Sequence, residues 1–359
     1  MSMDLEAAER ASGATFARIA EHPRPLPARF SVPDSEWKAV RQHAGVLDAG
    51  FRGLLRVTGG DRISFLQGMV SNDVVGLHPG CGTYAAVLTQ QAKIVSDVRV
   101  YVLDEEIWLD MPVTRVAAVR ESLERYIVAD DVELAHDADC QPLIVVEGPE
   151  SLRVMGAVFE KVLDELPALA HRELRIGGAS VRCIAVSHTG EAGYMMVGAP
   201  QHAAALWERC AAIGTVPVGM DALQVLRIES GIPWYGADMD DATLIGEVGL
   251  STAISYTKGC YLGQEVVERV AARGQVQRKL VGIVCDGQAV PPRAAKLCRD
   301  GKEVGWVTSA TWSPACQAVI ALGYARRECW EPGYEVSVLQ AGGATTTARI
   351  ATLPFYKPA

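Results

Sequence analysis

The segment IVSDVRVYVLDEEIWLDM, Ile94 to Met111, constrains the fold most. Two β-rich runs flank the tight Asp104-Glu105-Glu106 link, which is far too short for the crossover that parallel strands need. The two runs therefore read as an antiparallel pair. In the first run, Val95, Asp97, Arg99 and Tyr101 share one face, while Ile94, Val98 and Val100 lie on the other. Aspartate is disfavoured inside strands. A face carrying Asp, Arg and Tyr either meets water or lines a polar pocket.

The surrounding sequence extends this antiparallel, mixed pattern. GLLRVTG (Gly53 to Gly59) and TYAAVLTQ read as strands, with a helical run in GDRISFLQGMVSND between them. A helix is expected from near Thr114, with Val116, Val119, Leu123, Tyr126 and Ile127 on one face. PLIVVEG reads as a buried strand and VRCIAVSHTGEAGYMMVG as two strands around a turn. A helix is expected over roughly Gln201 to Ala212, and MDALQVLRIESG is a helix closed by Gly231. After Val276 come short strands with Gly, Asp and Pro turns, including the hairpin signal Asp300-Gly301. They read as a small β-barrel of about 80 residues.

Composition excludes several function classes. The net charge of -9 argues against sequence-independent nucleic-acid binding, which needs a basic footprint. The nine cysteines include no CxxC pair, so neither a disulfide framework nor a zinc site is expected, and a reducing compartment fits. The N-terminus lacks the pattern of a signal peptide, and no run reaches 18 apolar residues. A cytoplasmic protein without membrane spans is expected.

Several residues stand out as chemically competent. In KGCYLGQE, Lys258 lies two positions before Cys260, which sits between Gly259 and Tyr261. A nearby ammonium would depress a thiol's pKa, whereas a buried turn is the plainer reading. Glu191, in the turn SHTGEAGY, is either a solvated carboxylate or an acceptor for a planar amidine-like edge. Arg227, inside a helix, either pairs with a surface acid or anchors a ligand carboxylate. Tyr84 and Tyr235 are single aromatics that serve as core or as stacking surfaces.

KGCYLGQE resembles the KGC[FY]xGQE signature of the YgfZ-type folate-binding proteins, which are relatives of the glycine-cleavage T-protein, an aminomethyltransferase. The resemblance extends through GVLDAGFRGLLRVTGGDRISFLQGMVSNDV, TYAAVLTQQAKIVSDVRVYVL, HTGEAGY, GMDALQVLRIESGIPWYGADMD and GWVTSATWSP, roughly from Gln42 to the end. It implies an α+β fold with two ferredoxin-like, antiparallel-sheet subdomains around a central folate site, plus a C-terminal β-barrel. The implied divisions are an N-terminal extension over 1–40, a folate-binding body over 41–275 and a barrel over 276–359.

The implied cofactor is tetrahydrofolate or a one-carbon-substituted form. By resemblance, Glu191 accepts from the pterin, Asp97 acts near the reactive ring nitrogens, and Arg227 pairs with the glutamate tail. Tyr84, Tyr101 and Tyr235 pack on the rings. The chain departs from T-proteins at DAGFRG (Asp48 to Gly53), where Asp-x-Ser-His-Met is common, and His188 replaces a tyrosine. No arginine precedes the Glu191 turn. With Cys260 as a reactive thiol beside Lys258, these departures imply a folate-binding protein that assists iron–sulfur cluster assembly or repair. Its partners would be iron–sulfur client proteins or assembly factors. The alternative implied function is a folate-dependent aminomethyl or methyl transferase.

Overall fold

The expected hairpin lies inside a five-stranded sheet. The computed structural model describes residues 4–19, 21–136, 140–273, 276–340 and 343–358. A short pair, β1 (Thr15–Ala17) and β2 (Leu26–Arg29), follows helix α1 (Leu5–Ala11). Pro33 opens helix α2 (Pro33–Gln42), where its missing N–H costs nothing and its fixed φ suits the first turn. Strands β3 (Gly45–Asp48) and β4 (Arg52–Thr58) then lead into helix α3 (Arg62–Met69). Next come β5 (Gly82–Leu88), β6 (Ile94–Val102), β7 (Ile107–Pro112), helix α4 (Val116–Glu124) and β8 (Glu133–Ala135). The first sheet runs β5-β6-β7-β4-β8.

In this sheet Arg99 faces Asp110 and Tyr101 faces Trp108 across the antiparallel β6–β7 pair. One face is apolar: Leu55, Val57, Val98, Val100, Leu109 and Met111 pack with Phe65 and Leu66 of α3 and with Val116, Val119 and Leu123 of α4. The apolar stripe of α4 stops at Leu123, because the helix ends at Glu124, before Tyr126 and Ile127. The chain turns there to deliver β8.

A second sheet uses β9 (Gln141–Glu147), β10 (His171–Ile176), β11 (Ala179–Ala185), β12 (Gly193–Gly198) and β13 (Val216–Pro217) in the order β10-β11-β12-β9-β3-β13. Helices α5 (Ser151–Phe159) and α6 (Ala203–Ile213) cover its apolar face, with Val154, Met155, Leu206 and Trp207 in the core. Gly214 ends α6 at φ 94°, a conformation nearly free for glycine alone.

Helix α7 (Met220–Glu229) is followed by Gly231 at φ 65°, in keeping with the expected helix stop. Helices α8 (Ile245–Val248) and α9 (Gln264–Arg273) precede strands β14 (Arg278–Cys285), β15 (Lys296–Arg299), β16 (Lys302–Ser313), β17 (Ala318–Arg326), β18 (Glu335–Leu339) and β19 (Thr345–Ala351). These six close a barrel in the order β14-β17-β16-β15-β18-β19, as the strand-rich C-terminal texture requires. Ile283, Leu297, Val307, Val319 and Val338 fill its core.

By its internal contacts the chain forms two compact units: 1–88 with 95–223 and 252–262, and 89–94 with 224–251 and 263–359. Among the described residues no helix is long and apolar enough to cross a membrane.

The barrel is closely wound where β16 meets β17. A Cβ on Gly305 would run into the Tyr324 carbonyl oxygen of the neighbouring strand. Backbone cannot yield as a side-chain tip can, so Gly305→Ala is expected to lower stability by about 3 kcal/mol. A drop in the thermal midpoint, absent in an Ala substitution at the open Gly333 beyond its own φ cost, checks this.

Candidate functional site

The face of β6 opposite its apolar one carries the chemistry. Asp97 is 8% exposed; its Oδ2 accepts a hydrogen bond of 3.1 Å from the Tyr84 hydroxyl on β5. Its Oδ1 is buried and has no partner among the described residues. Burial, and then the Asp97 charge, push the Tyr84 hydroxyl well above its ordinary pKa, so it stays a donor.

Two residues along, Arg99 donates to Asp110 Oδ2 on β7 at 3.1 Å. Arg52, at the start of β4, donates through Nε to Asp110 Oδ1 at 2.8 Å. The Tyr101 hydroxyl reaches Asp110 Oδ2 at 3.3 Å. Burial opposes the charge of Arg99, yet Asp110 beside it more than compensates, and its pKa is raised. Burial, reinforced by Asp110, also raises the pKa of Tyr101.

The network crosses to the second sheet. The Arg99 guanidinium lies 2.8 Å from His188 Nε2. A guanidinium can only donate, so Nε2 accepts and the ring proton sits on Nδ1. His188 Nδ1 then donates to Glu147 Oε1 at 2.7 Å. The His188 backbone N–H donates to the same oxygen, and the Thr189 hydroxyl donates to Oε2. Burial, aided by Arg99, holds His188 well below the usual histidine range, so it is neutral. Burial pushes Glu147 up to about 7 against the hydrogen bonds it accepts from Thr189 and His188.

The Glu191 turn completes this cluster. Arg41, from α2, donates to the Thr189 carbonyl and to Glu191 Oε1, both at 2.9 Å. The guanidinium that the turn's own sequence lacks thus arrives from a helix far back in the chain. Glu191 is buried, not a solvated turn carboxylate.

In the first unit Tyr101 and Glu191 thus join one polar network through Asp110, Arg99, His188, Glu147, Thr189 and Arg41, while Tyr84 and Asp97 form a separate pair on the same face of β6. Tyr101 enters it differently from expectation: it is fully buried and meets His171 edge-on at 5.8 Å between centroids, so it offers no ring face to a ligand. Arg52, Asp110, Glu147, His188 and Arg41 join the cluster without being among the candidate residues that the sequence points to. Asp110, an aspartate in mid-strand, carried the same signal as Asp97; Arg41 carried none.

Arg227 and Tyr235 belong to the second unit. Arg227 is 1% exposed, and its donors are taken by Asp238 at 2.6 Å, Ser309 at 2.7 Å, Gln224 at 2.6 Å and the Ile232 carbonyl. Its guanidinium also lies over the Trp234 ring. A ligand carboxylate would have to displace buried partners, so the expected tail anchor is instead a core ion pair. Tyr235 is half-buried and bridges to Met239.

Lys258 is also committed. Its ammonium donates to the carbonyls of Gln67, Val70 and Asn72 at 2.6, 2.8 and 2.9 Å, and lies over the Tyr261 ring. Three donors on three carbonyls make it a clasp for the end of α3. Burial lowers its pKa to about 8. Cys260 is exposed. Lys258→Met leaves those carbonyls without their donor, and a stability loss on the order of 2 kcal/mol is expected. The thermal midpoint checks it, with Lys258→Arg as the charge-preserving comparison.

His171 gives a pH signature. Burial, then Arg182, hold its pKa down to about 4. The unfolded chain takes up this proton near pH 6.5 and the folded chain does not, so stability present above 6.5 is lost as pH falls toward 4. At pH 4.5 the loss is about 2–3 kcal/mol. His171→Gln should therefore narrow the fall in thermal midpoint between pH 7 and pH 4.5.

Comparison with known proteins agrees with this architecture. Residues 5–258 match the GCVT N-terminal domain, and residues 278–357 match the glycine cleavage T-protein C-terminal barrel domain. The chain is 30% identical to an aminomethyltransferase of Streptomyces coelicolor over 98% of its length and 96% of that protein's. It is 30% identical to an aminomethyltransferase of Synechococcus sp. (strain WH7803), covering 92% of each chain. The crystal structure of glycine cleavage system aminomethyltransferase T from Bartonella henselae has the same fold, with a TM-score of 0.91 over 100% of this chain and 98% of that one, at 21% identity. Aminomethyltransferase family members use tetrahydrofolate as the one-carbon acceptor. These matches overturn the expected iron–sulfur assembly role: full-length similarity runs to aminomethyltransferases, and the lysine of the cysteine motif is spent on backbone carbonyls. From the Asp97 strand to the closed barrel, this chain belongs to the glycine cleavage T-protein family.

Proposed function

We propose that the chain transfers a one-carbon unit to tetrahydrofolate, either the methylene carbon of an aminomethylated carrier, with release of ammonia and the carrier thiol, or the methyl group of a methylated amine, with release of the demethylated amine. The observation that carries this reading is Asp97: a buried carboxylate with one oxygen fixed by Tyr84 and the other unpartnered among the described residues. A buried acceptor left open calls for a donor, and the N–H groups of a reduced pterin are donors. Tetrahydrofolate supplies ring nitrogens that accept the one-carbon unit.

The roles of the chain's own residues follow. Asp97 Oδ1 orients the acceptor by taking a hydrogen bond, and serves as proton acceptor during transfer. Tyr84 keeps Oδ2 occupied, so that Oδ1 is the oxygen presented. Arg99, two residues along the same strand face, is held in place by Asp110 and His188. Glu191, aligned by Arg41, accepts from the amidine-like edge of the pterin.

The test incubates the protein with tetrahydrofolate and either an aminomethylated lipoyl carrier or a methylated amine, following methylene- or methyl-tetrahydrofolate. One donor is expected to give product. Asp97→Asn should lower kcat at least about 100-fold while leaving tetrahydrofolate affinity within a few-fold. No product from either donor, or full activity in Asp97→Asn, would discard the proposal.

A further inference from the structure

Glu9, on helix α1, is fully buried, and neither of its carboxyl oxygens has a hydrogen-bond partner of the usual donor kind among the described residues. The group within its hydrogen-bonding reach is another acid, Asp48 at the end of β3, which is 5% exposed. Two ionised carboxylates can only accept, so their contact needs a proton on one of them. Asp48 already has its donors: Arg24 Nη2 meets both of its oxygens at 2.7 Å, and the Gly50 N–H reaches Oδ1 at 2.8 Å. The proton therefore belongs on Glu9.

The other groups nearby do not remove this need. Arg24 is the one cation that Glu9 and Asp48 share, and it is spent on Asp48. Glu6, one turn back on α1, is acidic too and pairs with Arg10. Arg52 is committed to Asp110. The His22 ring, between β1 and β2, lies 2.5 and 2.9 Å from the carbonyl oxygens of Arg24 and Gly50. From α6, Ala203, Ala204 and Trp207 share a core with Ala8 and bring no charge. Burial, then the Asp48 charge, push the Glu9 carboxyl up to about 9 against the pull of Arg24.

Little else holds α1. It has seven residues, too few to be a stable helix alone. Ala8 packs into the core, and the Trp207 indole N–H donates to Ser12 Oγ at 3.1 Å. Asp4, Leu5 and Glu6, at the head of the helix, form part of the wall of a cavity of about 820 Å3.

We propose that α1 is a pH-sensitive latch, held on the first unit by the proton between Glu9 and Asp48, and that loss of this proton releases the helix and opens the cavity wall. The latch does not rest on the tetrahydrofolate reading above. A released helix gives up the proton near the ordinary value of 4.5, and the docked helix near 9. Docking is therefore strongest below pH 4.5 and weakens as pH rises to 9, by about tenfold per pH unit.

Hydrogen exchange followed by mass spectrometry tests this on the whole protein. Protection of residues 5–14, corrected for intrinsic exchange, is expected to fall about 100-fold from pH 6 to pH 8, while β17 changes less than about threefold. Glu9→Gln has the shape of the protonated acid and can donate to Asp48. It should hold the protection of residues 5–14 within about threefold over the same range, and above the wild type at pH 8. Millimolar magnesium or calcium chloride at pH 8 should change nothing. Wild-type protection that is flat with pH, a fall that persists in Glu9→Gln, an equal loss in β17, or protection restored by either cation would each overturn the proposal.

Discussion

One carboxylate organises the first unit. Asp110 is fully buried and accepts from Arg52, Arg99 and Tyr101, three side chains on two other strands. Without it two guanidiniums would face each other out of water, at a cost of several kcal/mol. With it, each strand's polar side chain has one defined place. Arg99 is then set to hold His188, and His188 to hold Glu147. The same pairing fixes the β6–β7 register. A slip of β6 by one residue would turn Asp97 and Arg99 into the apolar core and set Val98 and Val100 against Asp110.

That arrangement gives the open oxygen of Asp97 its meaning. Along the rest of the face Asp110, His188, Glu147 and Glu191 all meet partners, while the buried Nη2 of Arg52 has none among the described residues. A buried acceptor that no side chain meets costs free energy until a donor reaches it. The neutral His188 and the raised Glu147 follow from the same burial.

Much of this was legible in the sequence where periodicity carries the signal. Alternation in Ile94–Val102 separated the polar from the apolar face. Gly231 marked the end of α7, and the short strands after Val276 marked the closed barrel. Local motifs misled where long-range contacts decide. Lys258 beside Cys260 read as thiol chemistry because nothing in eight residues reveals the carbonyls of Gln67, Val70 and Asn72. Arg227 read as a ligand anchor because Asp238 and Ser309 are distant in sequence. Arg41 was invisible for the same reason: an arginine on a helix face has no periodic signature of the turn it reaches.

The Arg227 ion pair has a consequence for how the chain is made. Its ring of partners closes only when Thr308 and Ser309 arrive, since both hydroxyls donate to Asp238 Oδ1 and Arg227 donates to Ser309. Those residues emerge from the ribosome about 70 residues after Asp238, which at roughly 5–20 residues per second is several seconds later. Over that interval the nascent chain carries a charged pair without the hydroxyls that finish its solvation. The helix containing Arg227 therefore reaches its full set of partners, and its burial, only once β16 is in place.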